Sequence, residues 1–271
     1  MTAARPGESR AAAARVLLVD IGNTRIKWAW WRAGRIGAVR AAVQGAASAQ
    51  TLARGLSAQR RPRIARVVVA SVAGARADRR FAAAVRRAAG IEPEFLVSAR
   101  RVAGVTTRYR DPWRLGVDRF AAAIGAHQLA GRRGACVVSV GTTMTIDFVD
   151  GRGVHRGGVI VPSPELMVWS LKARTAGIAP RAGRRVARVP RAGTPFARST
   201  EEAIWQGALH AVAAAVDRAA SEARARLGSA ALVLITGGAA PHIEPLLRAR
   251  HVVVPELVLR GLAVHAGLAV R

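Results

Sequence analysis

The feature that most constrains the fold is a rhythm that occurs twice along the chain. Apolar runs at 16–21, 25–31 and 35–42 follow one another closely, then a helical pattern near 47–59, a strand at 66–72, a helix near 78–89 and a strand at 94–98. A turn-rich segment leads into a helix from about 117 to 130. From residue 135 the order begins again, with strands at 135–140, 144–149 and 154–160, a helix near 164–175 and an Arg/Gly/Pro-rich loop at 177–198. A long helix at 200–226 places Ile204, Ala208, Ala211, Val212, Ala215 and Ala219 at helical spacing. A strand at 231–236, a helix near 241–249, a strand at 251–254 and a helix near 258–269 close the pattern. Three adjoining strands predict an antiparallel meander, and strands alternating with helices predict parallel pairing under a helical layer. The expectation is an α/β protein of two like halves around a central cleft, where small ligands usually bind. Residues 1–14 read as a loose tail, 15–125 as the first domain and 126–271 as the second.

Polar residues cluster where the strands end. In VLLVDIGNTRIKW, residues 16–28, a greasy run stops at Asp20, one of only seven Asp, and the single Asn of the chain, Asn23, follows three residues later. Gly22 permits a tight bend, and a Gly-Asn-Thr turn offers N–H groups and short polar side chains to a phosphate. Asp20 would then supply a hard oxygen for Mg²⁺, directly or through water, and Lys27 a point charge for phosphate oxygens. The plain alternative is an ordinary hairpin with a polar tip. VVSVGTTMTID, residues 137–147, repeats the arrangement with Gly141, Thr142 and Asp147. TGGAA, 236–240, places two glycines after a strand, where Gly237 and Gly238 would let backbone approach a nucleotide closely. In RYRDPWRLGVDRFAAAIGA, 108–126, Asp118 and Arg119 open a helix. The helix N-terminus favours an ionised carboxylate there, and the guanidinium suits another carboxylate.

Composition narrows the classes. No apolar run approaches the roughly 20 residues that span a bilayer, and the N-terminal residues lack the apolar core of a secretory signal. One cysteine, Cys136, in an apolar strand, excludes a disulfide framework and fits a reducing cytoplasm. The six histidines show no i, i+4 metal pairing. The net charge of +27 is spread along the chain; only Lys27 and Lys172 among 43 basic residues are lysine, a skew that fits a GC-rich genome. Without interleaved aromatics, nucleic acid is not expected as a partner. Trp28, Trp30 and Trp31 read as core or edge packing, and His155 as a lesser candidate for the cleft.

Five motifs, DIGNTRIK at 20–27, Tyr109 with GVDR at 116–119, GTTMTID at 141–147, GGVIVP at 157–162 and STEEAIWQG at 199–207, resemble type III pantothenate kinases, a family that includes the Bvg accessory factor proteins. The paired hairpin turns are similar to those of the actin, hexokinase and acetate-kinase superfamily. The resemblance implies two ribonuclease-H-like (actin-like ATPase) domains, each a mixed five-stranded sheet with helices. It implies ATP-dependent phosphorylation of pantothenate, the first step of coenzyme A synthesis, in a cytoplasmic homodimer whose second domain carries the dimerisation surface. By motif, Asp20, Ile21, Gly22, Asn23, Thr24, Arg25, Ile26 and Lys27 would hold the ATP phosphates with Mg²⁺, and Thr142 would contact ATP. Asp118 would be the base, with Tyr109, Gly116, Val117, Asp118, Arg119 and Thr200 binding pantothenate.

Two departures stand out. Ser139 occupies the position where the family commonly has an Asp that holds a monovalent cation, so dependence on K⁺ or NH₄⁺ is expected to be weak or absent. Ser163 stands where the family has Gly after the Pro of GGVIVP, and Thr143–Met144 depart from the family's GTATT core, which alters the fine geometry of the ATP turn and not its presence. The alternatives are another small-molecule kinase of the superfamily and a regulatory accessory protein with a macromolecular partner.

Overall fold

A computed structural model describes residues 15–45, 64–182 and 189–271. The expected tail at 1–14 and the helix near 47–59 lie outside the described residues. The chain divides into two compact units, one of residues 1–129 with 256–271 and the other of 130–255.

In the first unit, β1 (Arg15–Ile21) pairs antiparallel with β2 (Arg25–Arg32) and parallel with β5 (Ile64–Ser71), which pairs parallel with β6 (Glu94–Phe95). On the other side of β2 lie β3 (Arg35–Ile36) and β4 (Arg40–Val43). The apolar run of β1 is continuous because both faces are covered. Leu17, Val19 and Ile21 pack with Phe81 and Val85 of α1 (Ala75–Ala89). Val16 and Leu18 pack with Ala121 of α2 (Val117–Ala130) and with Leu259 and Leu262 of a C-terminal helix. A hairpin, β7 (Arg101–Val102) and β8 (Val105–Thr107), precedes α2.

The second unit repeats this order. β9 (Ala135–Val140) pairs antiparallel with β10 (Thr143–Val149), and β10 antiparallel with β11 (Val154–Pro162). After α3 (Pro164–Arg174), the short α4 (Ile178–Ala182) and α5 (Thr200–Leu227), β12 (Leu232–Thr236) joins β9 in parallel. Beyond α6 (Ala240–Ile243), β13 (Val252–Val253) joins β12, also in parallel. Within the second sheet, which has seven strands rather than the expected five among the described residues, the run β11-β10-β9-β12-β13 repeats the order β3/β4-β2-β1-β5-β6. Leu209, Val212 and Val216 of α5 cover Cys136, Val138 and Ile146.

Several expectations are revised. The third strand is broken: Gly37 turns its N–H back to Trp30 O at 2.8 Å, and the chain rejoins β2 only at Arg40. Hence the expected five strands of the first sheet appear as six. The helix expected near 241–249 stops at Ile243 and gives way to a 3₁₀ turn, Glu244–Leu246, around Pro245. On α5, Ile204, Ala208, Val212 and Ala219 are buried as expected, Ala211 is exposed and Ala215 half-buried, and the covered face also takes in Trp205, Leu209 and Val216.

The largest difference concerns the final helix, α7 (Leu257–His265), which was expected within the second domain, 126–271, and belongs to the first unit. It crosses α2 at backbone distance. A Cβ on Gly261 would lie 1.8 Å from Ala121 O, and one on Gly125 would lie 2.4 Å from Leu257 O. The residues after it are fastened to the first sheet: Trp31 Nε1 donates to Ala269 O (2.8 Å) and Arg271 N to Gly34 O (3.0 Å). The chain therefore fixes α2, whose first turn carries Asp118, against the face of the sheet that β1 centres.

Candidate active site

Asp20 is the penultimate residue of β1 and faces Lys27 directly across the β1–β2 hairpin. Opposed residues project from one face of a sheet, so carboxylate and ammonium stand together at the C-terminal end of β1. Burial pushes the Asp20 carboxyl up from 3.8 to about 6; Lys27 opposes the shift, and the Asp118 carboxylate adds to it. The structure thus brings three of the expected residues, Asp20, Lys27 and Asp118, within electrostatic reach. Burial and a second carboxylate both disfavour the Asp20 anion, and a hard divalent cation would relieve both.

The hairpin tip is closed by Gly22 N donating to Arg25 O at 2.9 Å, and a Cβ on Gly22 would come within 3.2 Å of that oxygen. Asn23, Thr24 and Arg25 are exposed, whereas Ile21 and Ile26 are core residues that pack with Val67 and Val69, leaving only their backbone to a ligand. Gln44, which no motif marks, secures the tip. Its N–H donates to Thr24 O (2.8 Å), and its side-chain amide, with nitrogen and oxygen assigned by this network, donates to Gly22 O (2.7 Å) and Asn23 O.

At the start of α2, Gly116 O accepts from Phe120 N (2.9 Å), and the Asp118 carboxylate accepts from Arg119 N (2.8 Å). A Cβ on Gly116 would stand 2.8 Å from Asp118 Oδ1, so the glycine leaves the carboxylate its room. Arg119 is buried, and its Nη1 donates to the Tyr109 hydroxyl at 2.9 Å, with the guanidinium 5.7 Å from the ring centre. Val117 packs on the core.

In the second unit, β9 and β10 meet in a two-residue turn, Gly141–Thr142, closed by Gly141 N to Thr143 O at 2.9 Å, with Thr142 exposed. The TGGAA loop packs onto this turn. Gly237 has φ 102°, Ala239 N donates to Val140 O (3.0 Å), and a Cβ on Gly237 would lie 2.2 Å from that same oxygen. Close approach is indeed why a glycine is needed, and the partner is the backbone of β9. Thr200 is the first residue of α5, whose N-cap Ser199 accepts from Glu202 N at 3.2 Å. His155 is fully buried and paired with Asp147 at 2.8 Å, so neither faces solvent. Cys136 is core, its thiol pushed up to about 12 by burial.

Two sheets of one strand order, each with a polar glycine hairpin at the end of its first strand, define the actin-like ATPase class. Solved structures show the same fold. Ethanolamine utilization protein EutJ from Carboxydothermus hydrogenoformans aligns with a TM-score of 0.52 at 15% identity, over 93% of this chain and 89% of its own. A ROK family glucokinase from Streptomyces griseus aligns at 0.50 and 13%, over 92% and 98%. Within that class the chain belongs to the type III pantothenate kinase family, whose profile matches residues 16–222. The type III pantothenate kinase of Azoarcus sp. (strain BH72) is 38% identical over 93% of this chain and 90% of its own length. That of Herminiimonas arsenicoxydans is 39% identical, over 91% and 95%.

Proposed function

We infer that the protein phosphorylates pantothenate with ATP to give 4′-phosphopantothenate, opening coenzyme A synthesis. The single observation that carries this reading, within the family assignment, is the electrostatic coupling of Asp20, Lys27 and Asp118 at one end of the first sheet. Phosphoryl transfer demands positioning and charge neutralisation more than covalent chemistry. The tip at Gly22–Thr24 with Lys27 holds the ATP phosphates, and Thr142 adds a contact to the nucleotide. Mg²⁺ fits the oxygen donors at Asp20, directly or through water, and when bound supplies charge neutralisation at the phosphates. Asp118 accepts the proton of the pantothenate hydroxyl as the new bond to phosphorus forms. Tyr109, Gly116–Arg119 and Thr200 hold pantothenate, the Arg119 guanidinium facing its carboxylate. The protein works in the cytoplasm as a homodimer; among the described residues no helix is long and apolar enough to cross a membrane.

The test is release of ADP in a coupled assay with pantothenate, ATP and Mg²⁺. General-base help is worth about 10²–10⁴-fold, so Asp118→Asn loses roughly that much kcat while remaining folded. Near-normal turnover by the variant removes Asp118 from this role. Absence of any pantothenate-dependent ADP release by the wild type removes the function.

A further inference from the structure

Three backbone carbonyls ahead of α2 converge on one exposed side chain. Arg100 donates from Nη1 to Thr107 O (2.9 Å) and Tyr109 O (2.8 Å), and from Nη2 to Arg110 O (3.0 Å). Its own carbonyl accepts from Thr107 N at 3.0 Å. Residues 108–111 form neither strand nor helix, so their shape depends on such bonds. Thr107, which is buried, also receives Tyr109 N on its Oγ1 at 3.2 Å. The phenol of Tyr109 then accepts from Arg119. A continuous sequence of contacts thus runs from Arg100 through the Tyr109 backbone to its hydroxyl and on to the Arg119 guanidinium.

We propose that Arg100 is a positioning residue for the acceptor substrate: it sets the backbone at Tyr109 so that the phenol holds Arg119 in place for the carboxylate of pantothenate. An exposed arginine ordinarily gains more from water than from a fixed geometry. Here the planar fork, with five N–H groups, satisfies three carbonyls together, which a lysine ammonium on its flexible stem does not reproduce. Sub-ångström placement of a substrate-binding pair is what such support supplies. The inference rests on the proposed roles of Tyr109 and Arg119.

Steady-state kinetics of Arg100→Ala and Arg100→Lys, with each substrate varied in turn, test it. Arg100→Ala is expected to raise the KM for pantothenate about tenfold, leaving KM for ATP unchanged and kcat within about threefold. Arg100→Lys should resemble the alanine variant more than the wild type. Because Arg100 acts through Tyr109, the double variant with Tyr109→Phe is expected to lose less than the product of the two single losses. A pantothenate KM within twofold of wild type, equal increases for both substrates, or multiplicative losses would each overturn the proposal. Melting by circular dichroism checks folding, and should the alanine variant not fold, Arg100→Gln is judged by the same ratio of KM values. Tyr109→Phe and Arg119→Ala separate the two readings. If neither raises the pantothenate KM, the site assignment fails; if they do and Arg100→Ala does not, only the role of Arg100 fails.

Discussion

Asp20 and Ser139 hold the same place in two sheets of the same order. Each lies two residues before the glycine of a hairpin tip, on the strand that joins the antiparallel and parallel parts of its sheet. Across the first hairpin stands Lys27; across the second stands Thr145, and on the far side of Ser139 is Thr236. One sheet therefore ends in an acid and an amine, the other in a row of three hydroxyls. Duplication of the scaffold has not duplicated the chemistry: the first tip is equipped to manage charge, the second to offer neutral donors.

The largest effect expected from this contrast is on turnover. Asp20→Asn should cost on the order of 10²-fold in kcat/KM for ATP, whereas Ser139→Ala should stay within about threefold; comparable losses would break the contrast. Next is stability. Gly237→Ala forces a Cβ to 2.2 Å from Val140 O at a positive φ and is expected to cost about 2–4 kcal/mol in urea unfolding. Gly22→Ala, at 3.2 Å from Arg25 O, should cost less than about 1.5 kcal/mol.

The third effect is a dependence on pH confined to the first tip. The Asp20 carboxyl titrates near 6 in the native protein against 3.8 ordinarily, so between these values the native state holds the extra proton. Stability then falls as pH rises from about 4 to 6 and stays lower above. Asp20→Asn should remove that decline, a gain of about 1–3 kcal/mol over wild type at pH 8, while Ser139→Ala leaves it in place. Unfolding curves at pH 4 and pH 8 measure both. The smallest effect concerns ions. A hydroxyl is a weaker cation ligand than a carboxylate, and Ser139 is flanked in register by Thr145 and Thr236. Replacing Na⁺ by K⁺ should therefore change activity by less than about twofold; strong activation would show that the neutral row binds a cation after all.

Much of this was legible in the sequence because it is local. The strands on either side of Gly22 and Gly141 announce themselves by apolar runs broken at a glycine, and Asp118 with Arg119 sits at a helix start that its alanines make plain. What escaped depends on distant partners. Arg100 is one arginine among many, and only the folded backbone shows three carbonyls around it. Gln44 acts on a tip twenty residues earlier, from the bend just after β4. The placement of α7 turns on Gly125 and Gly261 meeting backbone of the facing helix, a fit between small residues far apart in sequence that no periodicity reveals. His155 stands beside Arg156 and two glycines, which do not say which face is covered; its burial and its pairing with Asp147 show that it is inside.

The return of α7 to the first unit has a consequence for biogenesis. The second unit is one unbroken segment, 130–255, whereas the first is assembled from two, 1–129 and 256–271. The first unit, though its strands emerge earliest, waits for Leu259 and Leu262 to cap Val16, Leu18 and Val68. The part synthesised first is thus completed last, and until α7 docks its greasy surface is open to chaperones and to misassembly.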